Sequence, residues 1–167
     1  MNHKTIVHNG GIAAAVLAAA VIWFSCFDIL QVQEISMEPE IHHGQTILVN
    51  KIAYRFPLLN KKGPSAEDVI VFKNPYDHQL VVKRCRLIPG DLINIDETGW
   101  LLVGKERYFL TDRQRELLSG IERIPEDTVL VLGDNSFHSV DSRDYGCVSI
   151  GTIRGKVINI FGGKNSH

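Results

Sequence analysis

The chain of 167 residues is poor in cysteine, with only three, at positions 26, 85 and 147. Three scattered thiols support neither a disulfide-stapled fold nor a CxxC zinc site. Excess charge of one sign is also missing: 18 Lys and Arg stand against 19 Asp and Glu. That balance excludes a broad basic surface and, with it, the usual footprint of a nucleic-acid binder. No long acidic run or low-complexity tract marks a disordered tail. The seven histidines form no HExxH pair, and no glycine-framed GxSxG occurs. Neither a zinc protease nor a serine–histidine nucleophile elbow is therefore signalled. His42 and His43 precede Gly44 in a turn pattern and would point to opposite sides, a poor arrangement for a metal. His138 reads as a loop residue. No metal or cofactor is expected.

One long apolar run is present. Residues 10–27 read GGIAAAVLAAAVIWFSCF, 15 of these 18 being hydrophobic, and no charge occurs over the 23 residues from Thr5 to Phe27. At about 1.5 Å per residue, a helix of that length crosses a hydrocarbon core of about 30 Å with some tilt. A cleaved signal peptide is the competing reading. However, FSCFDIL at 24–30 offers no small-x-small cleavage site, and WFSC is a poor lipobox. The expectation is a transmembrane helix over 10–28, a short cytoplasmic N-terminus over 1–9, and an extracytoplasmic domain over 29–167. Orientation follows from charge. Lys4 precedes the run, whereas Asp28, Glu34, Glu38 and Glu40 come before the next cation, Lys51.

The remainder reads as short strands bounded by turn residues: Ile29–Ile35, Thr46–Val49, Asp68–Phe72, Leu80–Leu87, Leu92–Ile95, Trp100–Val103, Val129–Leu132 and Ile153–Ile160. One helix is expected over Asp112–Leu118, with Thr111 and Gln114 as a capping box and Gly120 as its stop. The expected fold is mainly β, a compact β-barrel or folded-sheet domain with one short helix.

Four segments carry the chemistry: SMEP at 36–39, DVIVFK at 68–73, VVKR at 81–84 running on to IPGD at 88–91, and GDNSFHSVDSRDYG at 133–146. Taken alone, Ser36 is a turn serine before a proline. Lys83 is more informative, because it follows Leu80, Val81 and Val82 on an apolar strand. A lysine desolvated there has a lowered pKa and can act as a neutral base.

Together, in this order and behind an N-terminal apolar segment, these motifs resemble the bacterial type I signal peptidases. That family consists of membrane-bound serine/lysine proteases that remove signal peptides from exported preproteins. The resemblance runs from the apolar segment to Gly155-Lys156. It implies Ser36 as nucleophile, Lys83 as general base, Ser139 as the serine that orients the lysine, and Asp141 with Arg143 as a supporting ion pair. It also implies an extended substrate, with Val32, Met37, Val81 and Val82 as candidates for shallow pockets favouring small residues at −1 and −3. The implied partners are signal peptides, membrane lipid and the secretion translocon, and the implied location is the cytoplasmic membrane. The segment from Leu92 to Leu132 is short, so the chain reads as a minimal catalytic core.

Glu34 departs from the family pattern. Two positions before the nucleophile, family members usually carry a small residue, often serine or glycine, and a serine hydroxyl there can donate to the oxyanion. An ionised carboxylate cannot donate and repels the developing charge. The alternative readings are therefore a catalytically attenuated assembly factor, for example for pili, and a specialised organellar or conjugation-linked maturation peptidase. Cys85 and Cys147 read as free buried thiols, although a bond between them is left open.

Overall fold

The computed structural model describes residues 4–55 and 63–162, with side chains from residue 11 onward. Residues 1–3 of the expected cytoplasmic N-terminus and 163–167 of the expected outer domain lie outside the described residues. Helix α1 (Lys4–Cys26) takes up the Ala-rich run, where few β-branched residues and no interior proline oppose helix formation. Among the described residues, no helix is long and apolar enough to cross a membrane. The helix stops at Cys26, so Phe27 and Asp28, expected inside a span over 10–28, are strand residues instead.

Two groups on Lys51 hold the helix end. Its backbone N–H donates to the Cys26 carbonyl at 2.8 Å, and its ammonium donates to the Phe24 carbonyl at 2.6 Å. Both carbonyls belong to the last turn, which has no intrahelical donors of its own and carries the negative end of the helix dipole. The same ammonium pairs with Asp28, which also meets Arg154.

The strands follow in order: β1 (Phe27–Gln31), β2 (Thr46–Asn50), β3 (Val69–Lys73), β4 (Leu80–Leu87), β5 (Asn94–Ile95), β6 (Trp100–Val103) and β7 (Glu106–Phe109). Helix α2 (Asp112–Ser119), β8 (Thr128–Leu132), α3 (Ser142–Tyr145), β9 (Val148–Ser149) and β10 (Ile153–Phe161) complete the described chain. Seven strands form one antiparallel sheet in the order β1-β2-β10-β3-β4-β8-β9, and β5-β6-β7 form a second. The expected mainly β architecture is present, with few helices and a curled sheet.

Register shifts in β10, at Ile153/Gly155 and Val157/Asn159, and in β4, at Cys85/Leu87, mark irregularities of the kind that bend a sheet. Gly155 permits one of these close approaches: a Cβ there would lie 2.3 Å from the Asn50 carbonyl oxygen.

Strand β3 shows why the sequence reads as an unbroken apolar run. Ile70 and Phe72 enter one core cluster with Cys85, Val129, Val131 and Val148, while Val71 enters another with Val32, Met37, Ile41, Ile47 and Val49. Both faces of the sheet are covered here, so alternation disappears. Each such side chain stabilises the fold by about 1.5–3 kcal/mol. A third cluster, around Leu101, Leu118, Leu130 and Leu132, joins the small sheet to α2 and β8.

Helix α2 carries the expected Thr111–Gln114 box and ends at Gly120. The short helix α3 was not anticipated, and neither were β7 and β9. The strand expected over Ile29–Ile35 ends at Gln31. Val32 still pairs through its backbone with Gly44 and Gln45, after which the chain turns away towards Ser36.

Candidate active site

Lys83 lies opposite Ile70 in the β3–β4 ladder. Val81 and Cys85 flank it on the same face, since side chains alternate along a strand. The result is a lysine only 1% exposed. Its Nζ donates to Ser36 Oγ at 2.7 Å, and both groups are buried. Burial holds the Lys83 ammonium below the ordinary lysine range, because desolvation penalises the charged form. Glu34 and Asp141 pull in the opposite direction without reversing the shift.

The backbone places Ser36. Around Ser36, Glu38 N–H donates to the Ile35 carbonyl and Ile41 N–H to the Met37 carbonyl, closing a compact turn. Asn135 then grips the segment twice. Its N–H donates to the Ser36 carbonyl at 3.0 Å, and its side-chain amide donates to the Ile35 carbonyl at 3.2 Å. Gly133 fits where no side chain could, because a Cβ there would lie 2.3 Å from Ser139 Oγ and 2.5 Å from the Ser36 carbonyl oxygen.

Beneath this loop, Asp141 is fully buried and Arg143 is 5% exposed. Arg143 donates through Nε to Asp141 Oδ1 and through Nη2 to Oδ2, both at 2.9 Å. The Gly133 N–H also donates to Asp141, at 3.0 Å. Arg143 reaches on to the Ser136 carbonyl at 2.8 Å, so one guanidinium ties together both ends of the loop. Asp141 additionally caps α3, with Asp144 completing the box. Ser139 Oγ is buried and makes no hydrogen bond among the described residues, so its expected bond to Lys83 is not formed here.

Two further residues brace Lys83, and both sat unassigned inside the motifs. Arg84 adjoins Lys83 and donates to both carboxylate oxygens of Asp134, at 2.8 and 2.7 Å. This fork–fork pair fastens β4 to the loop that carries Asn135. Both residues lie within the quoted motifs, Arg84 beside Lys83 and Asp134 beside Gly133.

Val32, Met37, Val81 and Val82 all line one cleft of about 360 Å³ together with Ser36, Leu30 and Val71. Strand β8 pairs with β4 only from Arg84 onward, so no described strand covers that edge over Leu80–Lys83. A second cavity of about 450 Å³ is lined by Gln33, Glu34, Ile35, Lys83, His138 and Val140, among others. Glu34 borders both cavities. Its side chain is 68% exposed, and its carboxylate faces Lys83 with Oε2 3.9 Å from Nζ. Of the histidines, His42 sits 3.4 Å from Glu38, and His138 meets the Asn135 side chain.

Comparison with known proteins now bears on this geometry. The model of a family described as signal peptidase, peptidase S26, matches residues 7–161. The chain belongs to this signal peptidase family. Signal peptidase I V of Bacillus subtilis (strain 168) is 27% identical over 162 residues, covering 88% of this chain and 92% of that protein. Signal peptidase I of Bacillus caldolyticus is 32% identical over 159 residues, covering 86% and 84%. Mitochondrial inner membrane protease subunit 1 of Saccharomyces cerevisiae (strain ATCC 204508 / S288c) is 34% identical over 106 residues, covering 59% and 50%. The general reading of the sequence, a serine endopeptidase of signal peptidase type, stands on this membership. All three cysteines of this signal peptidase family member are free, and burial pushes the Cys85 thiol up to about 12.

Proposed function

We propose that the chain is a membrane-anchored endopeptidase that removes signal peptides at small-x-small sites, with Ser36 as nucleophile and neutral Lys83 as general base. The 2.7 Å contact between the two side chains inside a buried site carries this reading. It favours catalysis over a role confined to binding precursors.

With the amine neutral, the same contact runs in reverse, the Ser36 hydroxyl donating to the Lys83 lone pair. Lys83 takes that proton as Ser36 Oγ attacks the scissile carbonyl, and the Ser36 N–H offers one hydrogen bond to the oxyanion. The new ammonium then gives its proton to the leaving amine. Water, activated by Lys83, hydrolyses the acyl-enzyme that remains. Ser139 is a proposed partner for Lys83 during these transfers, since its buried hydroxyl has a donor and an acceptor unused. Asp141 and Arg143 hold the loop that supplies it.

Substrate enters as an extended strand against Val32–Glu34 and the uncovered edge of β4. Its small side chains fill the cleft lined by Val32, Met37, Val81 and Val82. The apolar run supports an anchor formed by α1 up to Cys26 in the cytoplasmic membrane, with residues 1–9 inside and the β domain from Phe27 outside. Preprotein signal peptides, membrane lipid and the secretion translocon are the proposed partners.

The test is cleavage of an Ala-x-Ala peptide by the purified chain in detergent. Ser36→Ala and Lys83→Ala each should abolish it, and full activity in either variant would sink the assignment.

A further inference from the structure

Glu34 stands where the family pattern has a small residue, and its environment suggests a positive use for it. It is the only acid among the described residues lining either cavity, and it borders both. Lys83 donates its hydrogen bond to Ser36, and the 3.9 Å separation from Glu34 is a Coulomb contact rather than a second bond. With its side chain 68% exposed, the carboxylate keeps acceptor sites open towards the substrate path.

Charge balance sharpens the point. The groups facing Lys83 are Glu34 from the segment after β1, Asp141 from the loop before α3, and the Ser36 hydroxyl; His138 lines the same cavity and the Tyr145 hydroxyl is buried on α3. Asp141 is balanced by Arg143. When Lys83 is neutral and competent to act, Glu34 is therefore the uncompensated charge of the site. A second negative charge then develops on the oxyanion. A cation supplied by the substrate would offset both. In the proposed reading the cleft with Val32 and Met37 takes the small acyl-side residues, which leaves the cavity with His138, also bordered by Glu34, for the leaving segment.

We infer that Glu34 is a specificity-determining residue whose carboxylate selects substrates with a lysine or arginine just after the scissile bond. The inference rests on the catalytic reading above and deepens it by naming a charge preference on the leaving side.

The experiment compares three Ala-x-Ala peptides carrying Lys, Gln or Glu at the two positions after the bond, using the full chain in detergent. The wild type should cut the Lys peptide with a kcat/KM about tenfold above the Gln peptide, with the Glu peptide slowest. Glu34→Gln should bring the Lys/Gln ratio close to one, and Glu34→Lys should invert the order. Added salt should shrink the wild-type ratio. A wild-type ratio of one, or the same ratio in Glu34→Gln, overturns the inference. Binding of the same peptides to Ser36→Ala, with and without Glu34→Gln, separates the two readings. If no peptide is cut but the Lys peptide binds tighter in a Glu34-dependent manner, the catalytic reading fails alone. If charge preference is absent from both cleavage and binding, the role of Glu34 is refuted.

Discussion

Ile70 and Lys83 face each other across the β3–β4 ladder, so a lysine occupies a position that the surrounding core treats as apolar. Burial lowers the Lys83 pKa in the folded chain relative to the unfolded one. The folded state then binds fewer protons than the unfolded state between those two values, and stability rises with pH across that window. Below it, the full cost of a buried ammonium remains. Lys83→Met should therefore abolish cleavage while raising the melting temperature at pH 7 by a few degrees, measured by calorimetry. A lower melting temperature would contradict the account.

The same shift sets the direction of the rate profile. In the proposed mechanism only the neutral amine can accept the Ser36 proton, so kcat/KM of the wild type should rise with pH through one ionisation below the ordinary lysine range. Steady-state rates from pH 5 to 10 measure this, and a flat profile would remove Lys83 from the base role.

Gly133→Ala tests how tightly the centre is assembled. The new methyl group would collide with Ser139 Oγ and with the Ser36 carbonyl oxygen. Displacing the proposed nucleophile Ser36 by even about 1 Å costs about 100-fold in rate, so kcat should fall by at least that order. Circular dichroism should show the fold retained.

Arg143→Ala leaves the carboxylate of Asp141 buried without its ion-pair partner. Breaking a buried pair from one side destabilises by about 3–5 kcal/mol. Urea denaturation should report a loss of that size, together with reduced activity as the loop from Ser136 to Ser139 loosens.

Thr111→Ala serves as a contrast. It removes the hydroxyl that accepts from Gln114 N–H at the start of α2, at a cost of about 1 kcal/mol. The box lies outside the residues that line either active-site cavity, so kcat/KM should be unchanged. A large kinetic effect would show that α2 communicates with the site.

Much of this was legible in the residues themselves, for local reasons. Strand β4 could be bounded from Leu80 to Leu87, and Thr111-x-x-Gln114 marked a helix start, because both signals lie within a few residues. Strand β7 was not legible, since Glu106 and Arg107 interrupt its apolar pattern and its pairing depends on the turn at Gly104. Helix α3 is four residues long and exists through the box of Asp141 and Asp144 rather than through periodicity. At the site, Ser36 and Lys83 stood out as a pair only through the order of the motifs. The brace between Arg84 and Asp134 joins residues 50 apart, a distance at which sequence pattern carries no geometry. Glu34 could be recognised as unusual, but the sequence could not show that it faces Lys83.

Lys51 clamps the end of α1 to the sheet, and β1 begins at the very next residue. The join between helix and sheet therefore contains no slack. With α1 as the proposed anchor, such a joint would work as a ruler, holding Ser36 at one height rather than on a swinging tether. Cleavage position would then be chosen partly by where a precursor presents itself along the membrane normal, before any side chain enters the cleft.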